Sequence, residues 1–467
     1  MIAPIAKRRG WLATLRRELP PVAHLAWPIV LSNLGWMAMG ICDTMMVGRV
    51  SAAAIGAVSL GSILFITLGV FGGGLMLGLD TLVPQAFGAG KLDHCHRALV
   101  SSLWFGVPLG IVLQGVMWWT LPLFTRMGAD PVVMALTVPF VKALSWSMLP
   151  LMLFFSLRGY LQGMNLVHPV MFALLSANII NGVGDWILIY GHWGSPAMGA
   201  VGSAWSTTAS RIYMALVLAV AILRHDRRAH TRLLHTRVAP DFARIGRLLR
   251  LGLPAAMQLL VEVAVFALAT ALIAKLGAVP LAAHQIALNV VSFSYMVPLG
   301  VGSAAAVRVG QALGRGDVRA AGRHGWAALA LGAGFMGFAA IIFLTFPHFV
   351  ARLFTPDAAV VQMGARLLVV GAFFQLFDGM QVVFTGALRG TGDTHTAMIC
   401  HFCGYWLIGL PVGYFLCFNW GWGAVGLWGG LCLALVLLGI VLLYIWHRRV
   451  PALAESLTPL AAGESEA

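Results

Sequence analysis

Runs of apolar residues, each about as long as a bilayer is thick, recur along the whole chain with short polar breaks between them. Such runs predict membrane-spanning helices, here roughly over 22–47, 52–83, 98–122, 133–155, 165–191, 197–223, 250–276, 280–308, 325–347, 362–388, 396–418 and 422–446. The expected fold is an all-α polytopic membrane protein with twelve transmembrane helices. The runs near 52–83 and 280–308 exceed what a bilayer needs, so each is expected to bend or to project past the lipid. The run from Val22 to Val47 follows a basic segment with Lys7, Arg8, Arg9, Arg16 and Arg17. It is too long for a signal-peptide core and reads as a retained first span.

The longest polar break, 224–249, separates two halves that echo each other. Ala-Trp-Pro28 corresponds to Gly-Leu-Pro254, Val47-Gly48 to Leu276-Gly277, and Pro-Gln85-Ala-Phe-Gly to Gly-Gln311-Ala-Leu-Gly. Leu-Arg158-Gly corresponds to Leu-Arg389-Gly, and the four offsets are 226, 229, 226 and 231. Six spans per half give both halves the same topology, so the two bundles form a parallel repeat about an axis along the membrane normal. The expected organisation is an N-terminal segment 1–21, an N-lobe 22–223 (helices 1–6), a basic linker 224–249, a C-lobe 250–447 (helices 7–12) and a tail 448–467. Transporters built this way carry their substrate between the bundles and rock them for alternating access.

Composition and charge narrow the class. The 467 residues are 60% hydrophobic and only 10% charged, against about 25% charged in soluble domains. A net charge of +14 could suggest a nucleic-acid surface, but its placement follows the positive-inside rule. With both termini inside, 23 of the 30 Lys and Arg fall on the inner side, eight of them arginines between Arg224 and Arg250. Arg49, Arg126, Lys275, Arg352 and Arg366 fall outside, and Lys142 and Arg211 lie within spans. No aromatic residues interleave the basic ones for base stacking, so no nucleic acid is expected. The picture is a monomer in the lipid bilayer of the cell inner (plasma) membrane, both termini cytoplasmic. No Ser-His-Asp order or nucleophile elbow supports an enzyme, a membrane-embedded acyl transferase included. Cys400-x-x-Cys403 with His401 has no second pair for zinc or redox work. His225, His230 and His235 sit in the basic linker and read as solvated. No motif implies a cofactor.

The chemistry is concentrated in carboxyl groups. Of 16 acidic residues, four sit inside apolar spans: Asp43, Asp185, Glu262 and Asp378. An ionised group at that depth is costly and marks a functional position by default. Counting from the helix ends at about 1.5 Å per residue matches Asp43 with Asp185 in depth, and Glu262 with Asp378. Asn178, Asn181 and Asp185 share one helical face. Gln375, Asp378, Gln381 and Thr385 form a second polar stripe, and Gln258 lies one turn before Glu262. Carboxylate and amide oxygens are hard ligands suited to Na⁺, and the same carboxylates can take H⁺. Burial disfavours a carboxylate's charge and a nearby cation restores it, which is the competition an ion-coupled antiporter needs. Asp80, beside an inner loop, reads as structural. Arg211 reads as a snorkelling or helix-end residue, with neutralisation of one of the intraspan acids as the alternative. Pro28 and Pro254, within the first helix of each half, are expected to bend it.

At these residues the chain resembles the multidrug and toxic compound extrusion (MATE) family. The resemblance is carried by Asp43-Thr-Met-Met-Val-Gly-Arg, Pro-Gln85-Ala-Phe-Gly-Ala-Gly, Leu-Arg158-Gly-Tyr-Leu-Gln-Gly, and Glu262 with Ala-Ala-His284-Gln285-Ile-Ala-Leu-Asn289. Arg308-Val-Gly-Gln-Ala-Leu-Gly and Asp378 with Gly-Ala-Leu-Arg389-Gly-Thr-Gly-Asp complete it, over roughly residues 20–447. It implies two six-helix lobes around a V-shaped cleft, and export of cationic amphiphilic compounds driven by inward Na⁺ or H⁺. NorM-type members place the cation site in the C-lobe, matching Glu262 and Asp378. DinF-type members implicate two N-lobe aspartates, matching Asp43 and Asp185. Gln285 and Asn289, with Asn178, Asn181, Gln258, Gln375 and Gln381, are implied as supporting or substrate-binding polar groups. NorM-type proteins can carry Tyr one turn before the second C-lobe acid; here that place is Phe374, which removes a hydroxyl ligand for Na⁺ and leaves H⁺ open. The wider superfamily also contains lipid-carrier flippases, but those line the cavity with several basic residues, whereas only Lys142 and Arg211 lie within spans here.

Overall fold

The computed structural model describes residues 3–126, 131–231, 233, 236 and 239–463. Arg232, His235 and Arg237 of the basic linker lie outside the described residues, as do the side chains of Lys7, Arg8, Arg9 and Arg126. The helices, in chain order, are α1 (Ala3–Val47), α2 (Ala52–Met76), α3 (Leu79–Gly88), α4 (Leu92–Arg126), α5 (Pro131–Ser145), α6 (Met148–Gly163), α7 (His168–Tyr190) and α8 (Ala200–Ala229). They continue as α9 (Phe242–Ala274), α10 (Ala278–Gly314), α11 (Val318–Thr345), α12 (Pro347–Arg352), α13 (Ala358–Thr391), α14 (Thr394–Phe402), α15 (Leu410–Tyr414) and α16 (Gly423–Gly463). Two π-helical stretches, Cys403–Gly409 and Phe415–Asn419, flank α15.

Among the described residues, eleven spans are long and apolar enough to cross a bilayer, and α5 with α6, bent by 41°, pass the same test as a broken twelfth. This is the expected all-α, twelve-span fold. The long run near 52–83 is indeed interrupted, with α2 ending at Met76 and α3 beginning at Leu79.

Several helix starts are fixed by short polar side chains, and this sorts the acids. Ser51 caps α2 through Ala54 N–H. Asp317, Asp357 and Asp393 cap α11, α13 and α14 by accepting N–H bonds of the first turn, as short acceptors at that position do. Asp241 accepts from Arg244 N–H at 3.1 Å and pairs with its guanidinium at 2.8 Å ahead of α9. Those bonds, the backbone one first, hold the Asp241 carboxyl below the usual carboxylate range. Asp80 is buried in the first turn of α3, where an acid is favoured by the helix dipole. None of these caps is one of the four intraspan carboxyls.

The chain forms two compact units. One comprises residues 31–87 and 91–256, the other 1–30, 88–90 and 257–467. The first is filled by large side chains such as Phe65, Met117, Met152, Phe154 and Tyr160. The second is filled by Val265, Phe374, Tyr405 and Trp428, among others. Within the second unit α10 and α13 touch backbone to backbone. A Cβ on Gly386 would overlap the Gly302 carbonyl, and one on Gly390 would overlap Ala306. Small residues four apart allow this approach, and it sets the α13 polar stripe directly beside α10.

Candidate carboxyl sites in the two units

Each unit holds one carboxyl pair. In the first, α1 supplies Asp43, α7 supplies Asp185, and the two carboxyls are immediate neighbours. Asp43 Oδ2 accepts from Thr207 Oγ1 of α8 at 3.0 Å. Asp185 is fully buried, and neither of its oxygens has a well-formed hydrogen bond. Asn181, one turn earlier and also fully buried, donates to Ser206 Oγ at 3.3 Å. Asn178 faces the same way but is occupied with backbone, donating to Gly35 O at 2.9 Å and Leu174 O at 2.8 Å. It ties α7 to α1.

In the second unit, α9 supplies Glu262 and α13 supplies Asp378, within electrostatic reach of each other. Tyr295 of α10 donates to Glu262 Oε1 at 3.2 Å, while Glu262 Oε2 is buried without a partner. Asp378 Oδ1 accepts from Gln381 Nε2 at 3.1 Å, and Gln381 Oε1 meets His401 Nε2 at 2.6 Å. Gln375, one turn before Asp378, donates to Ser294 Oγ at 2.7 Å. Gln258, Tyr295, Gln381, Thr385 and Arg389 border a narrow cavity with about 20 Å³ of room for a water-sized sphere. A water needs on the order of 10–15 Å³ by that measure, so the cavity suits a single water or small ion and no drug.

The MatE family model matches the chain twice, at residues 28–187 and 254–415. The two matches start 226 residues apart (254 minus 28). The "Probable multidrug resistance protein NorM" of Brucella suis biovar 1 is 33% identical over 455 residues, covering 96% of this chain and 95% of its own. The protein of the same description from Rhodopseudomonas palustris is 35% identical over 451 residues, covering 96% and 94%. Among solved structures, the outward-facing conformation of a multidrug resistance MATE family transporter of the MOP superfamily superposes with a TM-score of 0.85 at 19% identity, over 93% of this chain and 96% of its own. The chain belongs to the MATE family.

This MATE protein therefore carries both pairs of acids that the depth count matched, each brought together inside one unit. Gln285 and Asn289 lie one turn apart on α10 and are exposed. His284, next to Gln285 in the chain, is a structural residue. Its Nδ1 accepts from the Trp428 indole at 2.9 Å, which can only donate, so Nε2 carries the proton that reaches Thr270 Oγ1 at 2.8 Å.

The expectation that Arg211 snorkels is corrected. It is buried, lies 4.0 Å over the Phe65 ring, donates to Ser147 Oγ and is within electrostatic reach of Asp43. The reason is distance. Arg211 stands 18 residues before the end of α8 at Ala229 and 11 after its start at Ala200, about 27 and 16 Å of helix, both longer than its side chain can span.

Several site residues of the MATE fold here escape the sequence reading. Thr207 lies four residues before Arg211 and Ser203 eight before, so α8 carries its own polar stripe at helical spacing, which the pattern does contain. Tyr295 provides the hydroxyl that Phe374 lacks, from a different helix. Tyr405 lies in the π-helical stretch, its buried hydroxyl without a partner and near both Glu262 and Asp378. Trp406 ties that stretch to α9 by donating to Val261 O at 3.1 Å, one residue before Glu262. Cys400 and Cys403 are free, half-buried thiols. Among the described residues no three His, Cys, Asp or Glu form a metal-binding group.

Proposed function

We propose that this MATE transporter exports cationic, amphiphilic drugs and toxic organic compounds by alternating access, driven by inward H⁺ or Na⁺. One observation carries the reading. Around Glu262 and Asp378, the buried acceptors Glu262 Oε2 and Gln375 Oε1 meet no donor, and the Thr385 and Tyr405 hydroxyls are likewise without partners. Unsatisfied acceptors in an apolar bundle are costly, and a proton or a small hard cation relieves that cost. A bound organic cation would relieve it from the substrate side, so the two compete for one negative surface.

In this mechanism H⁺ or Na⁺ loads Glu262 and Asp378, with Gln258, Gln375, Gln381 and the Tyr295 and Tyr405 hydroxyls completing the set. Asp43 and Asp185 form a second proton-responsive pair, because two adjacent carboxyls repel when both are ionised, with Asn178 and Asn181 as supporting groups and Arg211 as a fixed positive neighbour. Gln285 and Asn289 present exposed amides to the transported compound. The N-lobe (22–223) and C-lobe (250–447) are the moving bodies, joined by the linker 224–249. The protein works as a monomer in the bacterial inner membrane, both termini cytoplasmic, with no cofactor. The relatives' descriptions as multidrug resistance proteins support the substrate class.

The test is exchange in proteoliposomes under an imposed Na⁺ gradient and then under an imposed pH gradient. Glu262→Gln and Asp378→Asn should each lower drug efflux about 5- to 150-fold, the range of a typical coupling free energy. Wild-type efflux in both variants would remove the second-unit site from the mechanism. A response to neither gradient would remove ion coupling.

A further inference from the structure

A groove of about 710 Å³ opens on the first unit where α7 begins and α8 ends. Ligand sites run to roughly 300–1,000 Å³, so it is sized for a ligand and is more than a crevice between side chains. Its floor is apolar, with Leu161 and Leu166 at the back and Phe172 and Leu216 outermost, each 60% exposed. Its rim is basic. Arg224 and Arg228 both line it, one turn apart on α8, so they share a face. Both are exposed, and neither has an ion pair or hydrogen bond among the described residues. Arg97, Arg244, Arg323 and Arg449, by contrast, each pair with a carboxylate.

The acid between the two arginines does not neutralise them. Asp226 is buried, and its Oδ1 takes the Thr231 hydroxyl and the Leu233 N–H. Two free guanidinium groups thus stand at the head of the groove, where α8 leaves its apolar stretch for the basic linker. Leu216 lies two turns further into the span, about 12 Å below Arg224. Charge above and exposed hydrocarbon below is the form of a phospholipid site, since basic pockets between helices at that level hold anionic headgroups.

We propose that this groove binds an anionic phospholipid of the leaflet beside the basic linker. The phosphate sits on Arg224 and Arg228, and an acyl chain lies along the floor past Phe172 and Leu216. A soluble anion would leave the apolar floor uncovered, and a zwitterionic lipid would leave the rim charge unanswered. The inference rests on the membrane reading but not on the exported compound or the coupling ion, so a variant that fails to transport can still be scored for lipid.

The experiment is native mass spectrometry of the full chain with dioleoyl phosphatidylglycerol or dioleoyl phosphatidylcholine at matched ratios. Wild type should retain phosphatidylglycerol in preference, and added salt should weaken that retention. Arg224→Ala with Arg228→Ala should weaken it roughly 10- to 30-fold, at about one surface-level charge contribution per arginine, with phosphatidylcholine unchanged. Arg247→Ala with Arg250→Ala removes the same charge from exposed positions outside the groove and should leave retention as in wild type. Equal retention of the two lipids by wild type, full retention by the Arg224/Arg228 variant, or an equal loss in the Arg247/Arg250 variant would each overturn the site.

Discussion

His401 faces an acceptor on each ring nitrogen. Its Nδ1 meets Ala397 O at 2.7 Å and its Nε2 meets Gln381 Oε1 at 2.6 Å. With the Gln381 amide donating to Asp378, both ring nitrogens must carry protons, giving an imidazolium and a carboxylate. With the amide turned over, its NH₂ donates to a neutral ring and its oxygen accepts from a protonated Asp378. These are the two arrangements in which no two acceptors face each other, so the proton on Asp378 is tied to the proton on His401 through one side-chain rotation. His401→Gln should therefore change how exchange depends on pH while drug binding at a fixed pH stays within about threefold, well inside a one-kcal/mol effect. Proteoliposome exchange across a pH series, with fluorescence polarisation for drug affinity, reads both. A profile that overlays wild type would leave His401 a packing residue only.

At the scale of elements, depth along a helix was legible and rotation about it was not. Counting residues from helix ends paired Asp43 with Asp185 and Glu262 with Asp378, because rise per residue is nearly constant. Which face of α10 meets α9 depends on how the two helices are turned against each other, and no single helix encodes that. Tyr295 was missed for this reason, and Tyr405 because a π-helical turn re-aims side chains without a mark in composition. The α8 stripe of Ser203, Thr207 and Arg211 was present in the pattern, and small hydroxyls in an apolar run hid it. Polar caps follow local rules and are more exposed to test. Asp241 holds the start of α9, the helix that carries Glu262, and its folded carboxyl lies below the usual range. A depressed folded value contributes stability that is fully present above the unfolded value, about 3.9, and is lost as pH falls through the folded one. Hydrogen exchange at the Arg244 and Ile245 amides should accelerate in Asp241→Ala at neutral pH, and in wild type only under strong acid. Slow exchange in the variant would assign the start of α9 to packing instead.

Across the whole molecule, segments from both sequence halves meet at the helix ends nearest the basic linker. Glu18 of α1 pairs with Arg323 of α11 at 2.9 Å, and Arg308 of α10 donates to Pro21 O at 3.0 Å. Gly88, closing α3, lies against Gln311 of α10 so closely that a Cβ would overlap its carbonyl, and Gly252 of α9 meets Leu75 O of α2 in the same way. The Gly88 and Gln311 motifs are the landmarks that the repeat aligns, so the duplicated sequence builds the contact between its own copies. Each of these approaches lies inside one compact unit, Gly88 with Gln311 in the second and Gly252 with Leu75 in the first, so each holds a segment of one sequence half in a unit built mostly from the other. A side chain at either glycine has no room beside the facing carbonyl. Gly88→Val and Gly252→Val should therefore keep helical content and the buried carboxyl networks while hydrogen exchange rises across 308–315 and 248–252 respectively, and exchange around Glu262 and Asp185 should stay unchanged. Wild-type exchange in both variants would mean that the facing helices shift to admit the side chain and that the seating of these segments does not depend on the two glycines.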